Sequence, residues 1–401
     1  MIREMDRQAL TFLQIPTTAG TTLNRITEWQ YNTMRLRNFS KLSSLIFCAF
    51  AVATAGQAPI FADIGPPIRT GLWAMQRLPL DTNELNQVAA ELAKNHNLSG
   101  VCLHFFWNDL EKVSGKPDFS MVDKTVTEFR RLGMKYELGL GAGAHTPRFV
   151  YDEGAKAIST QVPNPHRANY GETIEIPVPW DPIYQREFSR MIAQLGERYA
   201  QDPLCVGVIL TCANAMSGEM HLTKTRSDLA KWQAMGDYEG KLLAVYKRYT
   251  DEWAKAFPRQ AISLHLAKVL DLPPDFCERI VDYGLSKYPT RFTIQNCQLS
   301  GRKEDGGKMS YDLIQKYRER AHHGFQSLAG FGGGGDRMGS IEMAALNAVH
   351  AGGEYWELWH GDGFSVETSS AVSRIWEEAK SLGYEAYKKK LISEGKYRQH
   401  R

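Results

Sequence analysis

The sequence predicts an α/β fold, a (β/α)8 TIM barrel, and three observations carry that prediction. From residue 67 to about residue 390 the hydrophobic period switches between 2 and 3.6, giving eight strand-like runs separated by amphipathic stretches. Strands alternating with helices pair in parallel through right-handed crossovers, and eight such units close on themselves. No GxGxxG follows the first run, which weakens the alternative of an open doubly wound sheet.

The strand-like runs are TGLWAM (70–75), GVCLHFFW (100–107), KYELGLGA (135–142) and CVGVILTCA (205–213). AISLHLA (261–267), RFTIQNC (291–297), FQSLAGF (325–331) and EYWELWH (354–360) follow. Asp81 followed by Glu84 predicts a capping box, and Leu85, Val88, Ala89 and Leu92 form one apolar helix face behind it. Met121, Val122, Val126, Phe129 and Leu132 repeat that pattern. Further helices read at about 182–201, 238–257, 308–323, 337–351 and 367–390, with a shorter one near 273–287. Two inserts, 143–181 and 214–236, follow strands three and four, on the face where barrel enzymes build their sites. The first is rich in Pro, Gly, Asn and His and reads as an ordered loop.

Residues 1–58 read as an N-terminal extension and secretory signal, and 59–401 as one barrel. Arg35, Arg37 and Lys41 precede an apolar run from Leu42 to Val52, and small residues at Ala53, Ala55, Gly56 and Ala58 offer cleavage sites. The start is at Met1 or Met34. This predicts a secreted or periplasmic protein with no integral membrane segment in the mature chain. The 58 residues hold six basic and three acidic side chains, which leaves 42 of each sign in the rest. A neutral body gives no electrostatic case for nucleic acid. With 43% hydrophobic and 23% charged residues, the chain has ample core material and is not of the disordered or collagenous class. Cys102, Cys205, Cys212, Cys277 and Cys297 have no CxxC spacing, so buried thiols are expected rather than a zinc site or a disulfide framework. No metal motif such as HExxH occurs, His322-His323 reads as an exposed helix end, and no cofactor is expected.

Strand alternation assigns the barrel interior. With Val101, Leu103 and Phe105 facing helices, Cys102, His104, Phe106 and Asn108 turn inward. The same logic turns in Ser263 and His265, then Thr293, Gln295 and Cys297, then Tyr355, Glu357 and Trp359. His104, His265, Gln295 and Glu357 make an interior more polar than packing needs, which points to a site. Trp107, Trp180 and Trp359 sit at strand ends or in active-face loops, where flat rings suit stacking on sugars.

The stretch LHFFWNDLEKVSGKPDFSMVDKTVTEFRRLGMKYELGLGAGAHTPRFV resembles the second and third units of clan-A-type glycoside hydrolases, the cellulase and β-galactosidase-like barrels. PWDPIYQREFSRMIAQLGERYAQDPLCVGVILTCANAMSGEM is similar to the approach to their fourth strand. The resemblance implies a carbohydrate substrate, an acid/base Glu after strand four beside an Asn, and a nucleophilic Glu at the end of strand seven. Here Asn214 and Glu219 are separated by Ala-Met-Ser-Gly, and the strand-seven end reads GFGGGGDRMGS with no Glu.

Glycoside hydrolysis needs two carboxylates flanking the scissile bond. Glu219 is the expected acid from its place after strand four, and Glu357 the expected partner from its inward parity, with Asp109, Glu111, Asp336 and Asp362 as substitutes. Strands four and eight lie opposite each other, and the wider spacing this implies favours inversion. His104, Trp107, Asn214, His265, Gln295, Trp359 and Asp362 are the expected substrate-binding residues. Two alternatives stay open: a non-catalytic carbohydrate-binding barrel, and a lyase or isomerase holding a phosphate on Gly332–Gly335.

Overall fold

The computed structural model describes residues 68–162, 169–304, 308–331 and 337–399. The expected extension and signal at 1–58 lie outside these residues, as do Gly332–Gly335 and Asp336. The strands run in chain order as β1 (Gly71–Arg77), β2 (Leu98–Phe106), β3 (Lys135–Gly141), β4 (Ala157–Gln161) and β5 (Thr173–Pro177). They continue as β6 (Cys205–Ile209), β7 (Ala261–Leu266), β8 (Phe292–Leu299), β9 (His322–Ser327) and β10 (Tyr355–Leu358). Eight of them close into a barrel in the order β1-β10-β9-β8-β7-β6-β3-β2, with parallel pairing at the joints. The (β/α)8 architecture is as expected.

The helices are α1 (Thr82–Leu92), α2 (Trp107–Leu110), α3 (Ser120–Leu132), α4 (Arg148–Asp152), α5 (Pro182–Tyr199), α6 (Arg226–Ala234) and α7 (Tyr238–Ala256). They continue as α8 (Asp275–Lys287), α9 (Met309–Tyr317), α10 (Ile341–His350), α11 (His360–Phe364), α12 (Val366–Leu382) and α13 (Tyr384–Ser393). The Asp81–Glu84 capping box is formed at α1, satisfying two otherwise orphaned N–H groups. Among the described residues no helix is long and apolar enough to cross a membrane.

The alternation within strands sorts side chains into two environments. Val101, Leu103 and Phe105 of β2 and Ile262, Leu264 and Leu266 of β7 are buried in the layer beneath the helices. Full burial of such a side chain contributes about 1.5–3 kcal/mol, so each strand's facing is strongly fixed. Trp73, Val206 and Tyr355 form a separate buried cluster. Each lies near the start of its strand, so the three close the N-terminal end of the barrel.

Three expectations are corrected. His322 and His323 do not end a helix; they open β9, paired with Thr293 and Ile294. His323 is buried between the Ala321 and Ala351 carbonyls. Polar residues at a strand start hid it, and the apolar tail 328–331 drew the expected strand too far along the chain. The helix expected over 367–390 is two, because Gly383 takes a left-handed φ of +74° that breaks it. The insert 143–181, expected as an ordered loop, carries strands of its own: β4 and β5 pair as an antiparallel hairpin within it. Thr160 of this hairpin donates to Asp228 at 2.8 Å, tying it to α6 in the second insert.

Candidate active site

The barrel interior is built in layers. Above the aromatic plug lies a charged layer centred on Arg69, which precedes β1 and is 3% exposed. Its guanidinium packs over the Tyr355 ring, 3.8 Å from the centroid. It donates to Glu137 and Gln295, and to Glu357 at 3.3 Å. Tyr355 Oη donates to Gln295 Oε1 at 2.9 Å, and Cys102 Sγ donates to Glu137 at 3.3 Å. Gly207 of β6 leaves room for Glu137, since a Cβ there would stand 2.8 Å from its Oε1.

The next layer joins this cluster to solvent. Gln326 Nε2 donates to Glu357 Oε1 at 2.7 Å, and His104 Nε2 lies 3.6 Å from the same oxygen. Burial alone would raise the Glu357 carboxyl, but His104, Arg69 and His265 outweigh it and hold it at about 2. Burial pushes Glu137 the other way, above the usual carboxylate range, despite Arg69. His265 is pushed down to about 3, chiefly by burial, so its imidazole is neutral. Its Nε2 has no hydrogen-bond partner.

His104, His265, Cys297 and Gln326 form the floor of a cavity of about 900 Å³ at the C-terminal ends of the strands. Glu219 and Trp359 stand on its wall, and Glu219 is the acidic residue among the described ones that line it. The loop holding Glu219 is braced by backbone bonds: Met220 N donates to His265 O at 3.1 Å, and Ala215 N to His221 O at 2.6 Å. It is also fixed to the loop after β3, where Gly143 at φ +60° lets the chain pass so close that a Cβ would stand 2.2 Å from Asn214 O. The Glu219 carboxylate lies 3.3 Å from His221 Nε2 and keeps 21% of its side chain exposed. It shares the cavity with Cys297 of β8, whose buried thiol is pushed up by burial first and by Glu219 next.

The family model for glycoside hydrolase family 42, described as β-galactosidase, matches residues 81–254, from the N-cap of α1 into α7, and so includes the loop that carries Glu219. Over that stretch, 174 of the 401 residues, the chain is similar to this glycoside hydrolase family. Solved structures share its fold at low identity. The β-amylase catalytic domain from Paenibacillus polymyxa is 12% identical with a TM-score of 0.53, covering 78% of this chain and 100% of that one. The β-galactosidase from the psychrophilic Marinomonas ef1 is 12% identical with a TM-score of 0.52 over 80% of this chain and 62% of that one. The cold-adapted β-galactosidase from Rahnella sp. R3 is 12% identical with a TM-score of 0.53 over 80% and 57%. The chain thus spans less than two thirds of either β-galactosidase. No curated protein matches the sequence.

Of the residues expected at the site, Glu219, His104, His265 and Trp359 line one cavity. Trp359 Nε1 donates to Ser327 O at 2.8 Å, and Arg77 lies over its ring, 5.6 Å from the centroid. Glu357 and Gln295 have the expected inward parity but are fully buried one layer below the floor. Asn214 is a loop brace, its amide donating to Ser217 O. Asp362 accepts from Phe331 N at 2.7 Å and is 6% exposed. Trp107 needs correction as a sugar platform: it is fully buried against Phe149, Tyr184 and Phe188, and donates to Glu111 at 2.9 Å. Glu111 is thereby a structural acceptor, which also receives Gly115 N at 2.7 Å. The five cysteines among the described residues are free and buried, as expected.

Sequence reasoning missed Arg69, Glu137 and Gln326. Alternation along KYELGLG carried a signal for Glu137, and Gln326 would have followed had strand seven been started at His322. Arg69 lies outside any periodic run, so nothing in the pattern marks it.

Cys102, His104 and Glu357 place their ligand atoms within 4.8 Å of one another. The donor set fits a cation poorly, because Arg69 already neutralises Glu357 and burial drives the Cys102 thiol toward its protonated form.

The Glu357 shift has a pH consequence. Its folded pKa of about 2 lies below the ordinary value of about 4.3, so it contributes stability above that value and loses it as pH falls toward 2. The contribution is roughly 3 kcal/mol. Denaturant midpoints measured from pH 6 to pH 2 should show this acid loss in the wild type, and a flatter profile in Glu357→Gln. Identical profiles would rule out Glu357 as the source.

Proposed function

We propose that the protein hydrolyses glycosidic bonds in a poly- or oligosaccharide bound at the barrel mouth. The observation that carries this reading is the cavity at the C-terminal face, with Glu219 on its wall and Trp359 beside it. Glu219 is partly solvated and gives its proton to the leaving oxygen. Glu357 is the second carboxylate, and its buried position gives it an indirect role. Its negative charge backs His104, which lies between it and the cavity and receives the proton of the attacking water. Glu357 is thus a positioning residue, orienting the ring and stabilising its cationic form as a carboxylate does for a histidine base.

A panel of neutral and acidic oligosaccharides and aryl glycosides tests the reading, with the anomer of the first product recorded by NMR. Glu357→Gln should lower kcat with aryl and natural substrates alike by about 10²-fold, the scale of a general base. It should also move the acidic limb of the pH–rate profile, which a purely structural loss would leave in place. No turnover of any glycan by folded wild type would remove the catalytic reading. A carbohydrate-binding barrel is the second reading. One observation favours it: Gln326, which pairs in register with Glu357, stands on strand seven where the resemblance leads one to expect a Glu. Binding without turnover is its signature.

The reading includes export, supported by Arg35, Arg37 and Lys41 ahead of the apolar run 42–52. The mature N-terminus is expected between Ala53 and Asp63, and recovery of intact 1–58 on cytosolic protein would count against it.

A further inference from the structure

Residues 59–401 carry 42 charges of each sign, yet the mouth of the barrel is not balanced. Arg77, Lys224 and Arg337 line the cavity against Glu219. Partial burial and the ammonium of Lys268, just beyond β7, both lower Lys224. Three cations therefore share one mouth with a single carboxylate among its described lining residues, and like charges gathered around one cavity repel. An arrangement of this kind is electrostatically frustrated when empty and is relieved by an anion. Below it, His265 is 1% exposed and lines the same cavity. Its Nε2 has no partner, and a buried polar atom left unpaired costs about 1–3 kcal/mol. A neutral imidazole at the floor suits a sugar hydroxyl, with which it exchanges a hydrogen bond in either direction.

We propose that the glycan is acidic: carboxylate or sulfate groups on its sugars pair with Lys224 and Arg337 at the rim, while a hydroxyl of the sugar below bonds to His265. This rests on the hydrolase reading for the word glycan, and names the substrate class that reading leaves open. The two acidic groups share the chemistry that the cations recognise. Arg337 offers a planar fork that matches either group in two bonds, whereas Lys224 acts as a point charge.

The test compares three oligosaccharides of equal length, one neutral, one carrying uronic acid and one sulfated, by calorimetry at about 50 mM and about 500 mM salt. The acidic pair should bind at least tenfold more tightly than the neutral one at low salt, and this preference should shrink at high salt. Whichever acidic member binds best identifies the group. Lys224→Gln and Arg337→Gln should each cut the acidic-over-neutral ratio about three- to tenfold, with Lys224→Arg restoring most of it. Melting temperatures of the variants separate misfolding from lost recognition. Equal affinity for neutral and acidic members, or a preference that survives both substitutions, overturns the inference. The two readings fail differently: an acidic preference without turnover removes hydrolysis and keeps this proposal, and turnover of neutral glycans without preference does the reverse.

Discussion

Replacing Arg69 with methionine is expected to destabilise the protein by about 3–5 kcal/mol, the range for stranding a buried charge. The guanidinium is the shared counter-charge for Glu137 and Glu357, and both carboxylates are fully buried. Glu357 would keep His104 and Gln326, but Glu137 would be left with the Cys102 thiol alone. Methionine fills similar volume, so a cavity is not the main cost. The loss of the cation over Tyr355 adds to it. The sign of its pH dependence is also fixed. Without Arg69 the carboxylates are harder to ionise, their folded pKa values rise, and the variant should recover part of its deficit as pH falls from 7 toward 5. The double variant Arg69→Met, Glu137→Gln should likewise recover part of it. Urea midpoints for the single and double variants measure all three effects. A single variant within about 0.5 kcal/mol of wild type, the range of an ordinary surface change, would show that the charged layer is not what holds the interior together.

Glu219→Gln is expected to leave folding intact and to lower kcat/KM on natural glycans by about 10²–10⁴-fold. Glutamine keeps the shape of the side chain, and the loop is held by backbone bonds rather than by the carboxylate. On the proposed hydrolase reading, what disappears is the proton for the leaving oxygen. Substrates whose leaving group departs unaided, such as nitrophenyl glycosides, should therefore be largely spared, and the ratio of the two losses is the informative number. A uniform loss on both classes would point instead to a binding role. Undiminished activity on a confirmed natural substrate would move the acid to another carboxylate, with Asp109 or Asp336 next in line.

How much was legible depended on what each signal encodes. Barrel architecture was readable because alternating periods report burial, and burial is what builds a (β/α)8 fold. Parity brought His104, His265, Gln295 and Glu357 into one interior, since a strand has only two faces. Depth was not readable. Glu357 and Gln295 differ from His104 and His265 by one layer along the barrel axis, and that displacement depends on how neighbouring strands are staggered. Trp107 shows the same limit, because an aromatic ring at a strand end carries no mark telling whether helices will cover it. The extent of β9 was misread because its first two residues are histidines, whose burial against the Ala321 and Ala351 carbonyls leaves no apolar trace.

The charged layer also bears on how the chain reaches its fold. Arg69 just precedes the first barrel strand and Glu357 lies on the last, 288 positions later. A chain that has assembled everything up to β9 holds Arg69 and Glu137 in a ring still open between β1 and β9, where water can reach both. Only the arrival of β10 seals that gap and supplies the second carboxylate. Half-barrels therefore gain little on their own, and the closing contact is among the most non-local in the molecule, which favours slow, all-or-none assembly over stepwise accumulation of stable fragments.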